Sequence, residues 1–174
     1  MKILFLLTGS ISCYKACAAI SKLVQSGHEV QTIATPAALR FVGKATLEGL
    51  THRPVLSDIW DSSAAINHVA LGKWADIALL CPATANTINR LASGLADEII
   101  GTTHLAWPRE KPWLIFPAMN TAMLAHPATQ ASLKTLAARG AKIIESATGP
   151  LACGDAGAGR LPEPDQIVSA ILQF

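Results

Sequence analysis

Short apolar runs alternate with amphipathic stretches along most of this chain. Residues 2–8 are continuously apolar up to Gly9, the length and character of a strand buried on both faces. Residues 11–26 carry apolar positions at helical spacing and stop near Gly27. Val30–Ala34 predict a second strand, and Pro36 suits the first turn of a helix. Residues 44–66 break the pattern with glycine, proline, aspartate and serine, and predict a short helix with an exposed excursion. Ala75–Cys81 predict the central strand, followed by helices over Thr84–Leu91 and Ala96–Leu105. Trp113–Phe116 predict another buried strand, closed by Pro117. A helix over 128–139 ends at Gly140, a last strand spans Ala141–Ile144, and a terminal helix spans Asp165–Leu172.

Strands alternating with helices imply a parallel sheet covered on both faces. The expected fold is an α/β three-layer sandwich, Rossmann- or flavodoxin-like, with residues 1–174 forming one domain. One segment stands outside the alternation: Leu151–Arg160 holds a single cysteine, Cys153, among three glycines. Glycine suits sharp turns and close approach, so the segment reads as a mobile loop carrying a thiol.

Composition adds an expectation of assembly. Apolar residues make up 51% of the chain and charged residues 15%, which suits a protein that hides part of its surface in an oligomer. A net charge of +2 without basic runs speaks against nucleic acid. The apolar start is interrupted by Gly9-Ser10 and lacks an Ala-x-Ala cleavage site, unlike a secretory signal. With no stretch long enough for a bilayer, the expectation is a cytoplasmic protein without a membrane partner. Cys13, Cys17, Cys81 and Cys153 form no Cys-x-x-Cys pair and no metal-binding spacing. The first three read as small core residues.

In open parallel sheets, ligands gather beyond the carboxyl ends of the strands. Thr8-Gly9-Ser10-Ile11-Ser12 offers a close-approach glycine and helix-start N–H groups suited to phosphate, or simply a helix cap, and it is not a dinucleotide fingerprint. Thr35-Pro36-Ala37 and Pro82-Ala83-Thr84-Ala85-Asn86-Thr87 place small residues and hydroxyls at two further strand ends. In Pro117-Ala118-Met119-Asn120-Thr121-Ala122-Met123, the Asn120 amide can cap a helix or bind a carboxylate. Met119 and Met123, four apart, read as core filler or as an adaptable wall for a ring. His68 lies just upstream of the central strand, as a structural or an acid–base histidine.

Taken in order, these segments resemble the flavin-containing cysteine decarboxylases, most closely the phosphopantothenoylcysteine decarboxylases of coenzyme A biosynthesis. The resemblance rests on Gly9-Ser10-Ile11 with Tyr14-Lys15-Ala16, His68 with Leu71-Gly72-Lys73-Trp74-Ala75-Asp76, Pro82–Thr87, Pro117–Asn120 with Met123, Ala152-Cys153-Gly154-Asp155, and Gly159-Arg160. It implies FMN held near a subunit interface of a homotrimer, or of a dodecamer built from trimers. Contacts to FMN would come from Gly9, Ser10, Ile11, Thr35, Thr84, Ala85, Asn86, Thr87 and Ala118. It implies 4′-phosphopantothenoylcysteine as substrate, met by Asn120, Met119 and Ala152, and a phosphopantothenate–cysteine ligase as partner or fusion. Implied roles are a carboxylate clamp for Asn120, a base or orienter for His68, and a proton donor for Cys153. Lys15, Arg90 and Arg160 are candidates for the substrate phosphate. Leu124 departs from the family motif, which usually has an aromatic residue there. Competing expectations are a peptidyl-cysteine decarboxylase, a flavin prenyltransferase and a non-catalytic flavin-binding regulatory subunit. The complete Cys153 segment and the lack of acidic extensions weigh against them.

Overall fold

A computed structural model describes residues 1–59, 67–152 and 154–174. Five parallel strands form the central sheet: β1 (Lys2–Leu7), β2 (Glu29–Ala34), β3 (Ile77–Ala83), β4 (Trp113–Pro117) and β5 (Lys142–Ile143), in the order β2-β1-β3-β4-β5. This is the flavodoxin-like order, with its switch point between β1 and β3. The expected α/β sandwich is therefore the observed one.

The alternation of side chains along a strand assigns each face of the sheet to one half of the core. Ile3, Phe5 and Leu7 face one side with Leu79 and Phe116. There they pack against α1 (Cys13–Gln25), α2 (Lys44–Thr51) and α8 (Pro164–Ile171) through Ile20, Leu23, Leu47 and Ile167. Leu4 and Leu6 face the other side with Leu80 and Ile115. That face is covered by α3 (Asn67–Trp74), α4 (Ala85–Ala92), α5 (Ile99–Leu105) and α7 (Pro127–Ala138).

Gly27 and Gly140 end α1 and α7 in the left-handed region, at φ of 84° and 102°, where the sequence places both stops. Other boundaries move for local reasons. The turn after Pro36 is a single 3-10 turn, Ala38–Arg40, whose Ala38 N–H donates to Thr35 Oγ1 at 3.1 Å. α5 starts at Ile99 rather than near Ala96, because the Glu98 carboxylate accepts from the Ile100 and Gly101 N–H groups. His68 lies on α3, a helix the sequence pattern leaves out.

The largest difference concerns the glycine-rich segment. Much of it is not a loop: β6 (Ala147–Pro150) and β7 (Ala156–Arg160) pair as an antiparallel hairpin. Its glycines serve close packing. A side chain at Gly157 would run into Thr121, and one at Gly159, at φ 115°, into the Met119 carbonyl oxygen. The strand therefore lies directly against Met119–Thr121, where Met119 N–H donates to Gly159 O at 2.9 Å and Thr121 Oγ1 donates to Ala158 O at 2.7 Å. Cys153 falls outside the described residues.

Candidate functional site: two adjoining cavities at the carboxyl edge of the sheet

The carboxyl ends of β1 and β3 are stitched together by one threonine. Thr8, almost fully buried, donates from Oγ1 to Pro82 O at 2.6 Å and accepts there from Thr84 N–H at 3.0 Å. That aligns the turn into α1 with the turn into α4. Gly9 follows, and any side chain there would press on Ala37 Cβ at 2.7 Å. The glycine thus lets the β1 and β2 turns close on each other.

These turns border a cavity of about 630 Å³ lined by Thr8, Gly9, Ser10, Thr35, Thr84, Ala85, Asn86, Thr87, Ala118, Met119 and Met123, with Arg90 and Glu98 among the remaining residues. Its donors suit an anion. Thr84, the extended residue before α4, caps no N–H with its side chain, so the first-turn amides of that helix are left for another acceptor. At α1, Ser10 is already used, accepting from Ser12 N–H at 3.2 Å. Hydroxyls and helix amides at one part and the apolar Ala85, Ala118 and methionines at another fit a molecule with a phosphate and a flat ring. The one cation and the one acid in the lining are committed elsewhere: Arg90 pairs with Asp97, and Glu98 caps α5.

A second cavity of about 510 Å³ shares Ser10, Ala118 and Met119 with the first and continues past Ile11, Tyr14, Lys15, Asn120, Leu151, Ala152, Gly159 and Arg160. Asn120 stands at the start of α6 (Thr121–Ala125), and its Oδ1 accepts from Ala122 N–H at 2.8 Å. The cap orients the amide, whose other group is an NH2 donor. Lys15 is 4% exposed and donates to Leu161 O at 3.0 Å and to Glu163 at 2.8 Å. Arg160 shares Glu163 at 2.7 Å. The hydrogen bond from Lys15, aided by the charges of Lys15 and Arg160, holds the Glu163 carboxyl below its ordinary value against the opposing effect of desolvation.

Eight of the nine expected cofactor contacts, Gly9, Ser10, Thr35, Thr84, Ala85, Asn86, Thr87 and Ala118, line the first cavity, while Ile11 lines the second. Met119, Asn120 and Ala152 line the second as a group. His68, half-buried on α3, lines neither. Sequence reasoning missed Thr8 as the clasp and the Lys15–Glu163 pair, for which a lysine inside an amphipathic helix is the only local signal. Cys13 and Cys81 are buried core thiols, and Cys17 is half-buried against the same core. Burial raises all three pKa values, that of Cys17 to about 11. Among the described residues no group of His, Cys, Asp and Glu is placed to hold a metal, and no helix is long and apolar enough to cross a membrane.

A flavodoxin-like sheet with a phosphate-and-ring crevice at its switch point defines the class of flavin-binding α/β proteins. The chain belongs to the Flavoprotein family, which it matches over residues 1–174, and within it to the phosphopantothenoylcysteine decarboxylases. It is 42% identical over 172 residues to the probable phosphopantothenoylcysteine decarboxylase of Streptococcus mutans, covering 98% of this chain and 96% of that one. It is 44% identical over 162 residues to the coenzyme A biosynthesis bifunctional protein CoaBC of Mycobacterium bovis, covering 93% of this chain but only 38% of that protein. The chain thus spans about two fifths of the length of the bifunctional relatives it matches. Among solved structures, it superposes with a TM-score of 0.88 and 30% identity on a PPC decarboxylase. That protein is a cysteine-to-serine mutant complexed with pantothenoylaminoethenethiol, and the match covers 99% of this chain and 97% of that one.

Proposed function

We propose that residues 1–174 act as one domain that decarboxylates 4′-phosphopantothenoylcysteine to 4′-phosphopantetheine with FMN, in the cytoplasm. The observation that carries this reading is the contact between the two cavities. A ring seated against Ala118 and Met119 in the first meets a substrate held at Asn120 in the second, with Ser10 at the shared wall. The absence of a dinucleotide fingerprint and the cavity's size favour a mononucleotide.

Bound flavin supplies the two-electron oxidation of the substrate's thiol-bearing carbon, which lets carbon dioxide depart, and later returns the electrons. The chain's part is to position groups and handle protons. Asn120 holds the departing carboxylate by neutral N–H donors, since a cation there would stabilise the charge that must be lost. Cys153 delivers the proton that completes the reduction, a role open to an ordinary thiol, which at about pKa 8.5 is mostly protonated at neutral pH. His68 serves as base or orienter of the oxidative step. Because His68 lines neither cavity of its own chain, this role places it across a contact with a second copy, in a homotrimer or in a dodecamer of trimers. Ile11, Tyr14 and Met123 support such a contact: all three border the cavities and are at least half exposed. A phosphopantothenate–cysteine ligase, separate or fused, supplies the substrate.

Anaerobic incubation with 4′-phosphopantothenoylcysteine tests the assignment by following carbon dioxide and 4′-phosphopantetheine together. A substrate left unchanged rejects it in favour of a peptide decarboxylase or a regulatory flavin binder. With Cys153→Ser, carbon dioxide is still released and the ene-thiol accumulates; failure to release carbon dioxide removes Cys153 from the reductive step. Mixed oligomers of His68→Ala and Asn120→Ala regain turnover if the histidine acts between copies, and stay inactive if it does not.

A further inference from the structure

We propose that, given the substrate assigned above, Arg160 is its specificity-determining residue and recognises the phosphate monoester at the end remote from the reacting carboxylate. Charge along the second cavity points to it. Among the described residues that line this cavity, Lys15 and Arg160 are the only charged ones. Neither borders the first cavity, so both belong to the part beyond the wall shared with the ring. The substrate is a linear molecule with an anion at each end. Its carboxylate goes to the shared wall, where Ala118, Met119 and the neighbouring Asn120 offer only neutral groups. The phosphate, at the opposite end, falls to the cationic part.

The two cations are not equivalent. Lys15 is enclosed, and its ammonium is taken up by Leu161 O and Glu163 Oε1. The Arg160 side chain is 36% exposed and donates from Nη2 to the same Glu163 oxygen at 2.7 Å. One carboxylate thus faces two cations, and the group keeps one net positive charge. Lys15 offsets Glu163 from the buried side, so the uncancelled charge is presented on the exposed guanidinium. The hairpin fixes where that guanidinium lies: a Cβ at Gly149 would stand 3.0 Å from Nη1, so the glycine leaves its space to the arginine. Among the described residues Glu163 is its one hydrogen-bond partner, which leaves further N–H groups of the planar fork for phosphate oxygens. Arg90, by contrast, is paired with Asp97 and lines only the first cavity.

A cation suits the phosphate for the same reason that it does not suit the carboxylate. The carboxylate loses its charge as carbon dioxide departs, whereas the phosphate keeps its charge from substrate to product. Holding it stabilises the ground state and the transition state alike, which raises affinity without hindering the bond changes. The contribution of Arg160 is therefore expected in KM.

The test compares 4′-phosphopantothenoylcysteine with its unphosphorylated form, using the full chain loaded with FMN. Wild-type kcat/KM is expected to be higher for the phosphorylated form by about tenfold or more. In Arg160→Gln that ratio falls by about tenfold, through the KM of the phosphorylated substrate. Arg160→Lys, which keeps the charge but not the fork, retains part of the preference. Both substrates meet the same sample, so the ratio does not depend on how much of a variant is folded. An arginine that only braces the hairpin against α8 lowers both rates together and leaves the ratio at its wild-type value. That outcome, or a wild type that does not discriminate, overturns the proposal. Turnover of neither substrate by the wild type overturns the functional assignment, and the role of Arg160 with it.

Discussion

The central sheet and the β6–β7 hairpin are built on opposite principles. Every residue of β3 and β4 is buried, and the strands contribute large side chains to both halves of the core. The hairpin contributes almost none, since β6 alternates between exposed and half-buried and β7 is mostly glycine and alanine. Its worth lies in the absence of side chains, which lets its backbone bond to Met119 and Thr121 beside Asn120. One region supplies stability by area buried, and the other supplies position by close backbone contact. The second cavity lies where the two meet.

The contrast breaks most visibly in the sheet. Phe116→Ala, at a fully buried side chain, should cost about 3–5 kcal/mol of global stability by chemical denaturation. A loss confined to ligand affinity would contradict the division. Gly159→Ala should cost less, about 1–3 kcal/mol for the left-handed backbone, and more where the Met119 carbonyl must also move. Its signature is local: amides of the hairpin and α6 lose hydrogen-exchange protection, turnover collapses, and the sheet stays protected. Uniform loss of protection across both regions would show the hairpin to be part of the core's cooperative unit.

The smallest effect is one of pH. The folded-state pKa of Glu163 is depressed, so its stabilising contribution is present above the unfolded value and is lost as pH falls through the folded one, below about pH 4.5. Melting temperature should therefore drop through that acid range, and the part of the drop due to this group should shrink in Lys15→Met. An acid profile identical in the two proteins would show that the Lys15–Glu163 pair does not hold α8 and the hairpin's end against α1.

The same contrast explains what could be read from residue order. Continuous apolar runs such as Ile3–Leu7 and Ile77–Cys81 have few places to go but the middle of a parallel sheet, so strand positions and fold class were legible. Glycines at 27 and 140 marked helix ends because those positions lie in the left-handed region. The cavity lining was legible too, because parallel sheets put strand-end turns together whatever their sequence. The hairpin was not: glycine and alanine carry no alternating pattern, and its partner segment Met119–Thr121 is distant in the chain. The start of α5 at Ile99 hung on one carboxylate cap that propensity does not reveal.

By itself, the sequence determined the layers, the strand ends that carry Gly9, Thr35, Thr84 and Asn120, and the resemblance in which those residues have roles. These follow from periodicity and local chemistry, which act over a few residues at a time. Only the tertiary structure decided that Gly157 and Gly159 of the Cys153 segment serve packing, that Lys15 is spent on Glu163, 148 residues away, and that His68 stands apart from both cavities of its own chain. It alone brought Arg160 to the cavity that Asn120 lines. Such contacts join separate segments, and their energies arise from distances that no local pattern encodes.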